Sequence, residues 1–135
     1  MLRVIGSALK EPAYKGSAGY DLCLREGEVL RIEPRSRAKV ELDLRTEFDP
    51  GYVGLVLDRG SIGNKGLIRL AGVVDSDYRD NWKVILYNTT DDPVELTGAI
   101  AQVVFVPCAA WPIEYVEALG ESERGQGHFN SSGRN

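Results

Sequence analysis

The feature that most restricts this 135-residue chain is its rhythm: apolar runs are short, and none carries a helical repeat. They fall at residues 22–24, 29–32, 38–44, 52–57, 67–74, 82–87, 94–96 and 100–107. Turn chemistry separates them, as in Glu33-Pro34-Arg35, Asp49-Pro50-Gly51 and Asp91-Asp92-Pro93. Proline withholds a backbone donor, glycine opens left-handed conformations, and aspartate bonds its own backbone, so each cluster ends the run before it. Valine, isoleucine, leucine and tyrosine fill the runs, as strands prefer. The pattern predicts an all-β domain, a sandwich or barrel with a jelly-roll-like path. Only residues 58–65 are expected to make a helical turn or two. Residues 113–119 are read as one more strand, closing a domain over residues 1–120. The remainder, residues 121–135, is rich in glycine and serine, with Phe129 its one large apolar side chain. It cannot bury enough surface to fold alone and is expected to be an arm that orders on a ligand.

Composition narrows the partners. A net charge of −4 with pI near 5.0 argues against a nucleic-acid partner, which would call for a basic face. Cys23 and Cys108 are too few for a disulfide scaffold and are expected to be buried free thiols in a reducing compartment. A single histidine and the absence of Cys-x-x-Cys argue against zinc. Neither a signal peptide nor a transmembrane run is apparent, so no membrane partner and a cytoplasmic location are expected.

The chemistry concentrates in a few stretches. Arg59-Gly60-Ser61-Ile62-Gly63 offers a guanidinium, a hydroxyl and open backbone N–H groups, which suits a phosphate. Arg124-Gly125-Gln126-Gly127, followed by Ser131 and Ser132, offers the same again. Asp21 in Ala18-Gly19-Tyr20-Asp21-Leu22 reads equally as a turn residue. Gln102 reads first as a polar group satisfied inside a β-core. In LAGVVDSDYRDNWKVILYN, residues 70–88, the apolar pattern stops at Asp75 and resumes at Trp82, which reads as a hairpin with carboxylates and an aromatic at its tip. Asp75 there is either a general base on water or a tip aspartate bonded to its own backbone. Tyr78 is either a ring that stacks on a ligand or an edge packing residue.

Taken in order, AGYDL, the Arg59 loop, GVVDSDYR, IAQ followed by VVFVP, and RGQGHFNSSG resemble the five motifs of the trimeric dUTPases. The resemblance spans nearly the whole chain. It implies a jelly-roll-like β-barrel of the β-clip type, a homotrimer with active sites shared between subunits, and a flexible C-terminal arm. The implied reaction is dUTP plus water giving dUMP and pyrophosphate, which keeps uracil out of DNA and supplies dUMP, with Mg2+ carried on the triphosphate. By the same resemblance, Asp75 orients and deprotonates the attacking water, and Tyr78 walls off a 2′-hydroxyl. Backbone around Gly72, Val74 and Asp77 reads uracil. Arg59, Gly60, Ser61 and Gln102 hold phosphates, and Asp21 supports the metal shell through water. Phe129 stacks on uracil, and Arg124, Ser131 and Ser132 complete the arm's contacts.

The chain departs from the family pattern in places. Gly60 stands where the second motif has a serine, Asp80 where a glycine is common, and Ala99 where an arginine often stands. His128 and Asn130 replace arm glycines. If the Asp80 position needs a left-handed backbone, the substitution carries a cost. The related dCTP deaminases need a glutamate on the strand after Tyr78; Ile85 occupies that position, and no acid lies between Asn81 and Tyr87. A weakly catalytic, nucleotide-sensing or protein-binding relative is the remaining alternative, motivated by Gly60.

Overall fold

Residues 1–127 are described by the structure, a computed structural model. In chain order the elements are β1 (Leu2–Gly6), β2 (Leu9–Lys10), β3 (Tyr20–Cys23), β4 (Leu30–Ile32), β5 (Arg37–Glu41), β6 (Leu44–Phe48) and β7 (Tyr52–Leu57). They continue with α1 (Gly60–Gly63), β8 (Leu67–Arg69), β9 (Val73–Asp75), β10 (Lys83–Asn88), β11 (Val94–Leu96) and β12 (Ala99–Pro107). The result is the expected all-β, jelly-roll-like architecture. One sheet runs β2-β3-β12-β7-β9 and a second β5-β10-β8, while β1-β6 and β4-β11 form two-stranded ribbons.

Alternation explains which faces meet. Along β6 and β10, every second side chain is buried, so Leu44, Thr46, Phe48, Val84, Leu86 and Asn88 point inward. They join Leu22, Ile32, Leu67, Trp82, Ile100 and Val103 in one core. Trp82 is 1% exposed, and its indole N–H donates to the buried Thr46 hydroxyl at 3.1 Å, so the largest core side chain leaves no polar atom stranded. Asn88, fully buried, donates to the Ile32 and Asp92 carbonyls at 3.2 and 2.7 Å and accepts from Thr90.

Several expectations are corrected. The run 38–44 is two strands, because the chain turns a corner at Leu42-Asp43: the Asp43 carboxylate accepts from the Ser7 N–H and hydroxyl, while Leu42 and Leu44 both point into the core. The run 67–74 also divides. Ala71 and Gly72 hold φ of 67° and 144°, a left-handed corner that ends β8 and starts β9. Gly72 is required there, since a Cβ would lie 2.8 Å from the Val56 Cβ and 2.9 Å from its carbonyl oxygen. Consequently Asp75 to Trp82 is not the tip of a paired hairpin. β9 pairs with β7, whereas β10 pairs with β5 and β8, so the segment crosses between sheets. Residues 113–119 form no strand; Ile113 and Leu119 are 77% and 89% exposed. Cys108 is exposed rather than buried, and Cys23 is half-buried; both are free. Among the described residues, no helix is long and apolar enough to cross a membrane.

Candidate active site

Two groups of predicted residues come together, one where β7 runs out into Arg59 and one in a pocket along its β9 side. At the C-terminal end of β7 the chain leaves the sheet through Asp58 and Arg59 into the single turn of α1. β12 runs beside β7 and β3, which sets Gln102 opposite both Leu57 and Asp21. Arg59 therefore reaches across to β3, and its Nε donates to Asp21 Oδ1 at 3.0 Å. Its other guanidinium nitrogens face the Ser61 hydroxyl at 3.3 Å and the Ala99 carbonyl at 3.5 Å. The adjacent Asp58 is engaged elsewhere: its side chain accepts from the Arg69 backbone N–H, and its carbonyl accepts from Gln102 Nε2 at 2.9 Å. Gly19 belongs to this cluster, because a Cβ there would lie 2.1 Å from Gln102 Oε1. Asp21, Arg59, Ser61 and Gln102 thus form one braced group, with the Arg59 and Asp21 side chains 32% and 39% exposed, open to a ligand. Nearby Cys23 takes no nucleophilic part; burial first, and then the Asp21 carboxylate, push its thiol up and keep it protonated.

Along the β9 side of β7, the end of β8, the corner before β9 and the start of β10 line a pocket of about 260 Å³ that runs from Val56 to Asp75, opposite Val53. Gly72, Val74, Asp75 and Tyr78 line it, as expected. Its β10 wall includes Val84 and Ile85, so the position that a deaminase would fill with glutamate is apolar. Asp75 ends β9, and its carbonyl accepts from the Tyr78 N–H at 3.2 Å, closing a turn that sets carboxylate and ring on the same rim. The Tyr78 hydroxyl donates to the Asn81 carbonyl at 3.1 Å and accepts from Lys83 Nζ at 3.4 Å. Lys83 also pairs with Asp80 at 3.2 Å. The bond to Tyr78, then that to Asp80, hold the Lys83 ammonium above the ordinary lysine value. The Asn81 N–H, then Lys83, hold the Asp80 carboxyl below the ordinary carboxylate value. Asp80 does not adopt the left-handed backbone its family position suggested, so the substitution for glycine carries no such strain.

Not every predicted residue converges. Asp77 lines a different hollow, beside Met1, Arg3, Phe48 and Arg79. Arg124 closes a tight local turn, its Nε donating to the Gly127 carbonyl at 3.0 Å. Phe129, Ser131 and Ser132 lie outside the described residues. Two residues escaped the sequence reading. Lys83 holds Tyr78, and Arg69 lines the base of the pocket. For Arg69 a signal existed: it is the lone cation inside the apolar run 67–74.

The two groups are far apart within one chain. Asp75 pairs with Val53, and Gln102 pairs with Leu57 on the same strand. Four residues along a strand span roughly 13 Å, so the carboxylate and the guanidinium cluster stand at opposite ends of β7.

Comparison with known proteins bears on this arrangement. The sequence model of the family described as dUTPase matches residues 7–133. A deoxyuridine 5'-triphosphate nucleotidohydrolase of Shewanella oneidensis is 36% identical over 137 residues, covering 96% of this chain and 90% of the relative. The enzyme of the same description from Actinobacillus pleuropneumoniae is 35% identical over 138 residues, with 96% and 91% covered. Among solved structures, a dUTPase of Staphylococcus bacteriophage 80alpha in complex with dUpNHpp superposes with a TM-score of 0.85 at 26% identity, covering 98% of both chains.

Proposed function

This chain belongs to the dUTPase family, and from that premise we propose that it hydrolyses dUTP to dUMP and pyrophosphate at a site shared between copies of the chain. The observation that carries the reading is the pair of groups along β7, the Arg59 cluster and the pocket lined by Asp75 and Tyr78. One has the chemistry for a triphosphate, the other for a base, a sugar and a water.

In the proposed reaction Asp75 accepts a proton from water as the water oxygen attacks the α-phosphorus. The bond from that phosphorus to the bridging oxygen breaks, and pyrophosphate leaves. Backbone groups at Gly72 and Val74 read the uracil edge, where donor and acceptor exchange places at the 4-position in cytosine. Tyr78 packs against the deoxyribose and leaves no space for a 2′-hydroxyl, with Lys83 and Asn81 fixing its hydroxyl. Arg59, the Gly60 backbone, Ser61 and Gln102 hold phosphate oxygens and stabilise charge that grows on them. Arg124, Phe129, Ser131 and Ser132 close over the bound nucleotide as an arm, residues 121–135, on the barrel domain of residues 1–120.

The donor set fits a Mg2+ ion that arrives with the substrate. Among the described residues no group of three acidic, histidine or cysteine side chains gathers to hold a metal alone. Asp21 keeps one carboxylate oxygen on Arg59 and has the other for a metal-bound water. The ion would neutralise phosphate charge.

Distance supports sharing between copies. A water activated by Asp75 must lie about 3–3.5 Å from the phosphorus it attacks, which the guanidinium cluster at the far end of the same β7 does not support. A cluster from another copy removes the difficulty. Exposed apolar side chains at Trp111, Ile113, Tyr115 and Leu119, each more than three-quarters exposed, support self-association, and the family resemblance makes the assembly a homotrimer. A cytoplasmic location accords with this chemistry.

The test is pyrophosphate release with Mg2+, comparing dUTP with dCTP, dTTP and UTP. Release confined to dUTP is expected. Binding of dUTP without release would instead favour a nucleotide-dependent binding module and point to Gly60.

A further inference from the structure

Arg69 is the one residue of the pocket whose charge the account above leaves unused. It ends β8 two positions after Leu67, which is fully buried, so strand alternation turns its side chain inward with that leucine. Among the described residues it enters no ion pair. The nearest carboxylate it engages, Asp58, accepts from its backbone N–H and not from its guanidinium. Its Nε is the only buried side-chain nitrogen or oxygen among the described residues without a hydrogen-bond partner. Native folds rarely strand a buried donor in this way. The residue nevertheless lines the cavity formed by Gly72, Val74, Asp75 and Tyr78.

We propose that Arg69 is a further base-contacting residue, whose guanidinium donates to a carbonyl oxygen of the bound uracil ring. The inference rests on the dUTP reading of this pocket and extends it. Uracil carries two carbonyl oxygens and the cavity wall offers them mainly apolar side chains, so an unpartnered cationic donor at its base finds its acceptor only when the nucleotide enters. The pocket then recognises the base through a side chain as well as through backbone. Because the contact forms in the ground state and persists through reaction, its loss belongs in KM and not in kcat.

Arg69→Met keeps most of the aliphatic stem and removes every donor; Arg69→Lys keeps a cation. Both are to be compared with wild type in dUTP turnover, in binding of dUpNHpp, and with 2-thio-dUTP and 4-thio-dUTP, in which sulfur, a weak acceptor, replaces one carbonyl oxygen. The expected result is a KM raised about tenfold or more in Arg69→Met, as loss of a charge-assisted bond implies, with kcat changed less than threefold and partial recovery in Arg69→Lys. Wild type is expected to lose affinity for one thio analogue, and Arg69→Met to be insensitive to that same replacement. A KM within twofold of wild type in a folded Arg69→Met, or equal thio penalties in both proteins, would overturn the proposal. Should Arg69→Met not fold, absence of a penalty for both thio analogues in wild type would overturn it as well. Failure of wild type itself to bind dUpNHpp would instead reject the reading of the pocket.

Discussion

The Arg59 cluster and the pocket beside β9 solve the problem of holding a nucleotide in opposite ways. In the Arg59 cluster, side chains brace one another: Asp21 takes the guanidinium, Gln102 takes the Asp58 carbonyl, and Gly19 makes room for Gln102. In the pocket, backbone does the shaping. The left-handed corner at Ala71-Gly72 splays the strands, and the resulting cavity keeps an unpartnered donor at its base. A region braced by its own side chains is ready for charged oxygens, which exchange with equally polar partners. A region with an unmet donor is completed by its ligand. The contrast suits a substrate whose triphosphate is highly charged and whose base is uncharged.

Substitutions can break or sharpen this contrast. The largest effect is expected from Asp75→Asn, which keeps the pocket and removes the base. Turnover of dUTP should fall by roughly 10²–10⁴ while dUpNHpp still binds, read by pyrophosphate release and calorimetry. Retention of more than a tenth of the wild-type rate would remove Asp75 from that role. Gly72→Ala attacks the corner. With a Cβ driven against Val56 and a left-handed φ, it should cost about 2–4 kcal/mol of stability in chemical denaturation and weaken nucleotide binding with it.

Gly19→Ala is the informative counterpart at the braced end. The atom it meets is the flexible end of Gln102, so stability should change by less than about 1 kcal/mol. Displacing Gln102 from the Asp58 carbonyl should nonetheless lower kcat/KM about tenfold. Equal losses of stability in both glycine variants would erase the distinction between the two regions.

The smallest effect is expected from the Lys83 contacts, which are exposed and screened by solvent. Lys83→Met should reduce discrimination against UTP about two- to fivefold, because Tyr78 loses one of the two bonds on its hydroxyl. The pH dependence follows from the signs. Lys83 is raised in the folded protein, so its contribution is present below the ordinary lysine value and is lost as pH climbs through the raised one. Asp80 is lowered, so its contribution is present above the ordinary carboxylate value and is lost as pH falls through the lowered one. Discrimination against UTP should therefore be flat from about pH 5 to pH 10 and loosen only above the ordinary lysine value.

Much of this was legible in the chain. Turn clusters such as Asp91-Asp92-Pro93 bound strands where expected, and run 94–96 coincides with β11. Asp21, Arg59 and Gln102 were recognisable as motif residues. Their mutual hydrogen bonds were not, because these depend on the register of β12 against β3 and β7, which no local pattern encodes. The corner at Ala71-Gly72 hid inside an apolar run, since alanine gives no sign of a positive φ. Residues 113–119 looked like a strand by composition, but among the described residues no strand pairs with them. The departures at Asp80 and Ala99 looked like losses; in the fold, Asp80 helps hold Lys83, and the Ala99 carbonyl accepts from Arg59.

The most direct test of the central claim, that each site joins Asp75 of one copy to the Arg59 cluster of another, is subunit mixing. Asp75→Asn and Arg59→Ala, each nearly inactive alone, are to be denatured together, refolded and assayed for pyrophosphate release from dUTP. Sites built from two copies should regain about a quarter of wild-type turnover, since an intact Asp75 and an intact Arg59 each occur at half of the positions in a statistical assembly. Mixed assemblies that form but stay as inactive as the separate variants would contradict the claim and return both groups to a single chain.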